Sequence, residues 1–426
     1  MPKRWKTVSV VGMGYVGLPL AVIIAKKGYK VYGIDLDHTK VRKINKGINY
    51  ISDVDNNDLK EVVNLGLLRA YDNYKPVSKS DIIIIAVPTP IDKNMQPDLS
   101  CVISAACNVA KYLRKNTVVV LESTTFPGTT DELLKPILEK SGLVIGKDFY
   151  LGFSPERVDP GNKVYKIENT PKIISGITKS CLKRIKEFYD TIIVKTIPVS
   201  STKVAEMAKL LENIYRNVNI ALVNEIMLLC DRMGIDIWEV IEAACTKPFG
   251  FMKFNPGPGV GGHCIPIDPF YLSYKAKEHN FFTNFINLSA EVNENIPYFV
   301  VNKILRELAK RGLTPKRSSV LVLGLTFKKD VADLRHSPAC KIIELMLPYG
   351  FRLFIHDPYF KSVCIKDKEL KSVNDPYNVA NKVDFILILT DHSVYRWDDF
   401  ARRTKGFVFD TRNATKNIKS KKIVKL

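Results

Sequence analysis

Val8-Ser9-Val10-Val11-Gly12-Met13-Gly14-Tyr15-Val16-Gly17 is the stretch whose reading decides the fold, and the strand that follows it closes on Asp35. Val8 to Val11 have the apolar character of a parallel strand covered on both faces. The glycines then turn that strand into a helix. Gly12 permits the tight turn, Gly14 lets a pyrophosphate approach the helix N-terminus, and Gly17 lets helix and strand pack closely. Asp35, at the end of the second strand, can accept hydrogen bonds from ribose hydroxyls and repels a 2′-phosphate, which favours NAD over NADP.

Outward from this turn, strands are expected over 8–11, 30–34, 82–87, 117–121, 150–153, 172–175 and 192–195, with helices such as 15–27 and 129–140 between them. That alternation predicts a doubly wound parallel sheet. Residues 202–233 contain neither Gly nor Pro, carry apolar residues at helical spacing and stop at Gly234. They predict one helix of about 45 Å at 1.5 Å per residue. Helices over 281–294 and 298–310 follow, and after Gly312-Leu313-Thr314-Pro315 the alternation resumes with strands over 319–323, 351–355, 384–389 and 407–409 and a helix over 338–347. The expected fold class is α/β: two doubly wound, Rossmann-like lobes joined by a long central helix and a helical middle domain. The expected domains are 1–198, 199–312 and 313–426.

The second lobe echoes the first. Val320 to Leu323, Gly324 and Asp357 repeat strand, glycine and acid, but the glycine-rich turn is replaced by Leu325-Thr326-Phe327-Lys328-Lys329-Asp330-Val331-Ala332-Asp333-Leu334-Arg335. Cationic side chains have taken over from backbone amides. Ligands of such sheets bind beyond the carboxyl ends of the strands, so Lys328 and Arg335 are placed to grip a second, phosphorylated ligand.

The most chemical stretch is Pro256-Gly257-Pro258-Gly259-Val260-Gly261-Gly262-His263-Cys264-Ile265-Pro266-Ile267-Asp268-Pro269. Glycines and prolines on both sides of one thiol describe a fixed loop with little side-chain cover, suited to close approach of a substrate to sulfur. A thiolate beside a nicotinamide suggests aldehyde oxidation: sulfur adds to the carbonyl, the thiohemiacetal loses hydride, and water cleaves the thioester. Asp268 can position a base or a water, or serve only as a turn carboxylate before Pro269. Glu206, Lys209 and Asn213 share one helix face. A lysine in a dry cleft can act as a base or stabilise an alkoxide, though the same spacing also fits a solvated face. Polar residues follow two apolar strands, in Glu122-Ser123-Thr124-Thr125 and in Ser154-Pro155-Glu156-Arg157-Val158-Asp159-Pro160-Gly161-Asn162. Glu156 can activate water or stay neutral, and nothing local decides which.

Composition narrows the class of function. With 426 residues, 46% of them apolar, the chain can build two or three globular cores. Its longest apolar runs are far shorter than the roughly 20 residues of a membrane helix, and no signal peptide is evident after Met1. Eight scattered cysteines without a C-x-x-C pair fit neither a disulfide framework nor a zinc site, so no metal and a reducing cytoplasm are expected. The balance of 64 Lys plus Arg against 44 Asp plus Glu gives +20 and favours anionic partners. A nucleic-acid binder would interleave basic residues with exposed aromatics along one face, and no such cluster is present. Neither nucleic acid nor membrane is expected as a partner. Lys416 to Lys425 is dense enough to read as a basic tail.

Taken in order, Gly12-x-Gly14-Tyr15-Val16-Gly17, Val87-Pro88-Thr89-Pro90, Glu122-Ser123-Thr124, Ser154-Pro155-Glu156, Lys209-x-x-x-Asn213, Gly261-Gly262-His263-Cys264 with Asp268, and Gly324-Leu325-Thr326-Phe327-Lys328 through Arg335 resemble the UDP-sugar 6-dehydrogenases, over about residues 7–413. The resemblance implies a four-electron oxidation of the sugar C6 alcohol to a carboxylate with two NAD+ used in turn. Cys264 would be the covalent nucleophile, Lys209 and Asp268 would handle protons and the oxyanion, and Thr124 with Glu156 would serve water and hydrolysis. Asn213 would orient the substrate, Lys328 and Arg412 would hold the UDP-sugar, and Arg335 would face the nucleotide cleft. It further implies cofactor contacts from Gly12, Gly14, Tyr15, Val16, Gly17, Asp35, Pro88, Thr89, Thr124 and Arg335, and substrate contacts from Glu156, Arg157, Lys209, Asn213, Gly261, Phe327, Lys328 and Arg412. A homodimer or higher oligomer through the middle helices, and a product destined for polysaccharide or glycan precursors, complete the expectation.

Departures from the family pattern bear on the sugar. UDP-glucose dehydrogenases typically carry Arg-Ile-Gly where this chain reads Lys247-Pro248-Phe249-Gly250. Arg157, and His263-Cys264-Ile265-Pro266-Ile267-Asp268-Pro269, look like the branch acting on N-acetylated sugars. Pro256-Gly257-Pro258-Gly259 and Phe270-Tyr271-Leu272 lean toward UDP-N-acetylglucosamine, with UDP-N-acetylmannosamine and UDP-glucose as alternatives. A two-electron dehydrogenase with a structural Cys264, or a non-catalytic nucleotide- or nucleic-acid-binding protein, are the competing classes.

Overall fold

The computed structural model describes residues 5–51, 53–159, 161–162 and 164–426, so the N-terminal Met1 and the motif residue Pro160 lie outside the described residues. The chain forms two compact units, Met1–Glu212 with Phe270–Phe282, and Asn213–Pro269 with Thr283–Leu426.

The first unit is built on β1 (Thr7–Val11), β2 (Lys30–Ile34), β3 (Leu68–Tyr71), β4 (Ile82–Ile85), β5 (Val118–Leu121) and β6 (Tyr150–Phe153). They form one six-stranded sheet in the order β3-β2-β1-β4-β5-β6, all pairs parallel. This is the strand order of a dinucleotide-binding doubly wound fold, and its switch point lies between β1 and β4. All four residues of β4, β5 and β6 are buried, as expected for strands covered on both faces. The expected strands over 172–175 and 192–195 do not extend this sheet. Lys172–Ile174 (β7) pairs instead with Thr196–Pro198 (β8) in a separate two-stranded sheet. Ile192 and Ile193, read as strand, follow the helix Lys179–Tyr189 and are buried in the unit's core. Strand β3 was not anticipated at all: its alternating LRAY pattern is too short and too polar to stand out.

The long helix is Thr202–Met233, with the predicted bounds. In contrast, the two helices expected over 281–294 and 298–310 are one helix, Asn284–Lys310, with Pro297 inside it. Proline in a helix interior removes one backbone hydrogen bond and costs about 3 kcal/mol. Burial of Ile296, Val300, Val301, Ile304 and Leu308 along the same helix offsets it, at roughly 1.5–3 kcal/mol per large side chain.

The second unit contains β9 (Ser319–Leu323), β10 (Arg352–His356), the hairpin β11 (Ser362–Ile365) and β12 (Lys368–Lys371), then β13 (Phe385–Ile388), β14 (Phe407–Asp410) and β15 (Ile423–Lys425). Its parallel sheet runs β10-β9-β13-β14-β15. The stretch read as a basic tail therefore ends as an edge strand: Val408 pairs with Ile423, and the final Leu426 is buried. The hydrophobic part of Ile423-Val424 decides this, which the surrounding lysines mask in the sequence. Among the described residues, no helix is long and apolar enough to cross a membrane.

Candidate active site

In the first unit the turn after β1 has the geometry a dinucleotide requires. Gly12 adopts a φ of +92° and donates its N–H to Ile34 O at 2.7 Å. A Cβ on Gly17 would lie 1.8 Å from Gly12 O, so only glycine lets the helix Gly17–Lys26 start there. Gly14 has nothing within 4 Å of its would-be Cβ, which leaves its backbone open to a ligand. Asp35 Oδ2 accepts from Met13 N at 2.9 Å and meets Lys40 Nζ at 3.1 Å. Pro88 is exposed and Thr89 buried beyond β4, and Ser123 Oγ ties this segment to the end of β5 by donating to Val87 O at 2.8 Å. The glycine turn, Tyr15 and Val16 at the helix start, and Asp35 fit NAD.

Polar residues at the ends of β5 and β6 meet in a buried charge cluster. Lys172 Nζ lies 3.2 Å from Glu122 Oε2 and 3.4 Å from Glu156 Oε2, and donates to Pro155 O at 3.4 Å. Glu156 Oε1 accepts the backbone N–H of Arg157 at 2.7 Å and of Val158 at 2.8 Å. Tyr189 OH donates to Glu122 Oε1. Burial works to raise the Glu156 carboxyl, but the Lys172 ammonium, the two backbone N–H groups and the charge of Lys209 outweigh it and hold it below the usual carboxylate range. Burial keeps the Glu122 carboxyl above its usual range, although Lys172 pulls it down. Arg157 is engaged elsewhere, 2.7 Å from Glu212 and donating to Pro171 O at 2.7 Å. Thr124 is half-buried.

On the long helix, the face carrying Glu206 and Lys209 is buried, not solvated. Glu206 accepts from Gly128 N at 2.6 Å, Thr130 N at 2.9 Å and Thr130 Oγ1 at 2.7 Å, and so anchors the turn after Thr124-Thr125-Phe126-Pro127. Burial pushes its carboxyl up to about 7 against those three hydrogen bonds.

In the second unit the thiol loop is fixed at several points. Cys264 is exposed, and none of the described cysteines is in a disulfide. Cys264 O accepts from Ile267 N at 3.1 Å and Asp268 N at 2.8 Å, a turn that sets Asp268 one helical turn beyond the sulfur. Asp268 is 4% exposed and its Oδ2 accepts from Asn213 Nδ2 at 2.5 Å. A Cβ on Gly261 would lie 2.6 Å from Phe327 Cβ and 2.8 Å from His336 O, and Gly262 N donates to Arg335 O at 3.0 Å. The bare loop thus packs on the segment that replaces the glycine turn of the second lobe. Burial, with the charges of Arg335 and His336, holds the His263 imidazole below its ordinary range. Arg412 donates through Nε to Leu389 O at 2.9 Å and approaches Phe327 O at 3.5 Å. Arg335 makes a bidentate pair with Asp333, with Nη2 2.6 Å from Oδ2. Lys328 is half-buried.

Several supporting residues gave no sequence signal. Asn224 Oδ1 accepts from Gly257 N at 3.2 Å, Asn224 Nδ2 donates to Asn293 Oδ1 at 2.9 Å, and Asn293 Nδ2 donates to Asn217 Oδ1 at 2.7 Å. This buried amide ladder ties the start of the thiol loop to two helices. Asn293 lies 69 and 76 positions from its two partners on the long helix, where no local pattern links them.

A glycine-turn dinucleotide site in one unit and a thiol loop packed on a cationic turn in the other define a nucleotide-linked dehydrogenase. Family models of the UDP-glucose/GDP-mannose dehydrogenase family match residues 6–193 (NAD binding domain), 203–295 (central domain) and 321–417 (UDP binding domain). The chain is 39% identical over 404 residues to Protein CapL of Staphylococcus aureus, covering 91% of this chain and 94% of that one. It is 38% identical over 392 residues to the UDP-N-acetyl-D-glucosamine 6-dehydrogenase of Pseudomonas aeruginosa, covering 91% of each. The solved UDP-D-ManNAc dehydrogenase from Pyrococcus horikoshii superposes with a TM-score of 0.89 at 32% identity over 98% of both chains. The protein belongs to the UDP-glucose/GDP-mannose dehydrogenase family and is an NAD-dependent UDP-sugar dehydrogenase.

Proposed function

We propose that the enzyme oxidises C6 of a UDP-N-acetylhexosamine, UDP-N-acetylglucosamine first, to the uronate through a thioester on Cys264. The observation that carries this reading is the Asn213–Asp268 hydrogen bond of 2.5 Å, with the Asp268 N–H in turn fixed to Cys264 O: a buried carboxylate, 4% exposed, four residues along one backbone turn from an exposed thiol. The overall balance is alcohol, water and two NAD+ giving carboxylate, two NADH and three protons. When bound at the Gly12–Gly17 turn, NAD+ supplies the electron acceptor for both oxidations.

Lys209 and Asp268 take the alcohol proton and steady the oxyanion as a first hydride leaves C6 for the electron acceptor, which gives the aldehyde. The Cys264 sulfur then adds to the aldehyde carbon, and loss of a second hydride leaves a thioester. Glu156, aided by Thr124, draws a proton from water as its oxygen bonds to the acyl carbon, and the C–S bond breaks with its electron pair returning to sulfur. Asn213 orients Asp268, and Lys328, Phe327, Gly261, Arg157 and Arg412 serve the UDP-sugar, with Arg335 at the nucleotide. In this reading 1–198 holds NAD, 199–312 carries the thiol loop and 313–426 holds UDP.

Leu222, Ile226, Leu229 and Met233 fall at helical spacing on one face of the long helix and are 39–61% exposed, which supports a homodimer covering that face. A cytoplasmic setting and a role in supplying glycan precursors complete the proposal. Purified enzyme offered a panel of UDP-sugars with NAD+ tests the substrate. Highest kcat/KM with UDP-N-acetylglucosamine is the expected result; preference for UDP-N-acetylmannosamine, as the name of the Pyrococcus neighbour suggests, or for UDP-glucose would replace it.

A further inference from the structure

The charge cluster behind Glu156 is built more fully than a structural ion pair needs. Lys172 has three N–H donors and three acceptors within reach: Glu122 Oε2 at 3.2 Å, Glu156 Oε2 at 3.4 Å and Pro155 O at 3.4 Å. Its side chain is 5% exposed and that of Glu122 fully buried. Glu122 is itself oriented by Tyr189 OH, and Glu156 by the backbone N–H groups of Arg157 and Val158. One buried cation thus serves two carboxylates. A single counterion would be enough to hold a buried lysine, and losing it would leave a costly unpaired charge. With two, Glu122 can take up a proton while Glu156 remains as the ionised partner of Lys172.

The elements packed against Glu156 divide by charge. Lys172 from β7 and Lys209 from the long helix favour its anion, while Glu122 from the end of β5, raised by burial and by the charge of Glu156, gives up its own charge first. The Arg157 guanidinium is turned to Glu212. We propose that Lys172, backed by Glu122 and Tyr189, is a positioning group that holds Glu156 oriented and ionised for thioester cleavage and so sets the acidic limit of the pH–rate profile. This rests on the reading of Glu156 as the group that activates water. Lys172 touches neither water nor sugar in this role; it acts through the carboxylate.

The charge at position 172, and not that at position 122, should set the acidic limb of kcat against pH. Removing the cation in K172M raises the limb by about one pH unit or more, the usual effect of an opposite charge at this distance. E122Q replaces a carboxyl that is neutral before Glu156 titrates and does not raise it, and K172R, which keeps the charge, holds it near wild type. A role in folding alone would change yield or melting without this dependence on the charge of residue 172. If K172M does not fold, E122Q and K172R still decide the matter, because a limb raised by about a unit in either overturns the proposal. The reading beneath it is tested separately with E156Q, by intact-mass detection of a sugar acyl adduct on Cys264. Adduct accumulation in E156Q with coincident pH profiles for K172M, E122Q and wild type would sink the Lys172 role and leave Glu156 in place. Wild-type turnover in E156Q without adduct would remove Glu156, and the inference with it.

Discussion

The two lobes use one backbone device for two ligands. After β1, Gly12 adopts a φ of +92° and donates to Ile34 O at 2.7 Å, and Asp35 accepts from Met13 N at 2.9 Å. After β9, Gly324 adopts +84° and donates to His356 O at 2.9 Å, and Asp357 accepts from Leu325 N at 2.7 Å. The difference lies around the acid. The Asp35 side chain is 12% exposed, with Lys40 as a neighbour. Asp357 is sealed: its Oδ2 meets His392 Nε2 at 3.2 Å, both side chains are 0% exposed, and Oδ1 accepts from Tyr359 N at 2.9 Å. An imidazole occupies the acid's bonding capacity in the second lobe, so that lobe cannot use its aspartate on a ribose in the manner open to Asp35. Ligand choice in such a fold follows from what surrounds the acid and what replaces the glycines, not from the turn.

The largest expected effect separates the units outright. Cys264→Ala, in the second, should cut complete turnover by about 10³-fold or more and leave NAD binding to the first unchanged, as read by fluorescence titration. Next come the two acids. Asp357→Ala strands His392 and the Leu325 N–H in the interior and should cost about 3 kcal/mol or more in denaturant unfolding. Asp35→Ala should leave stability within about 1 kcal/mol and raise the KM for NAD about tenfold. Equal behaviour of these two variants would break the comparison. Within the first turn, Gly17→Ala should destabilise the unit by about 1–3 kcal/mol through overpacking against Gly12, whereas Gly14→Ala should fold normally and weaken NAD alone.

The smallest effect is a pH dependence. Burial raises the Glu206 carboxyl from 4.5 to about 7, so the folded state holds a proton that the unfolded state releases across that interval. Its contribution is complete below about 4.5 and declines as pH rises toward 7, by a total on the order of 3 kcal/mol. Glu206→Gln should flatten the fall in melting temperature over that window. A parallel slope in wild type and variant would show that Glu206 is ionised throughout.

Much of this arrangement was legible because it rests on local rules. Absence of Gly and Pro from 202 to 233, then Gly234, delimits the long helix, and the Gly12–Gly17 spacing with Asp35 marks the glycine turn after β1. The thiol loop was legible by what its neighbours lack. Pro297 misled, because a break is the local expectation and only tertiary burial overrides it. The Lys172 cluster and the Asn217–Asn293–Asn224 ladder were invisible: Lys172 meets Glu122 across fifty positions, and each residue alone reads as an ordinary strand end or helix polar residue. Fold signals are periodic, whereas the supports of a site are contacts between distant strand ends.

The central claim is that thiol and nicotinamide act in one sequence, and NADH stoichiometry tests it most directly. With limiting UDP-sugar and excess NAD+, the account predicts two NADH for each sugar consumed and no free aldehyde. One NADH per sugar, with aldehyde accumulating, would contradict it.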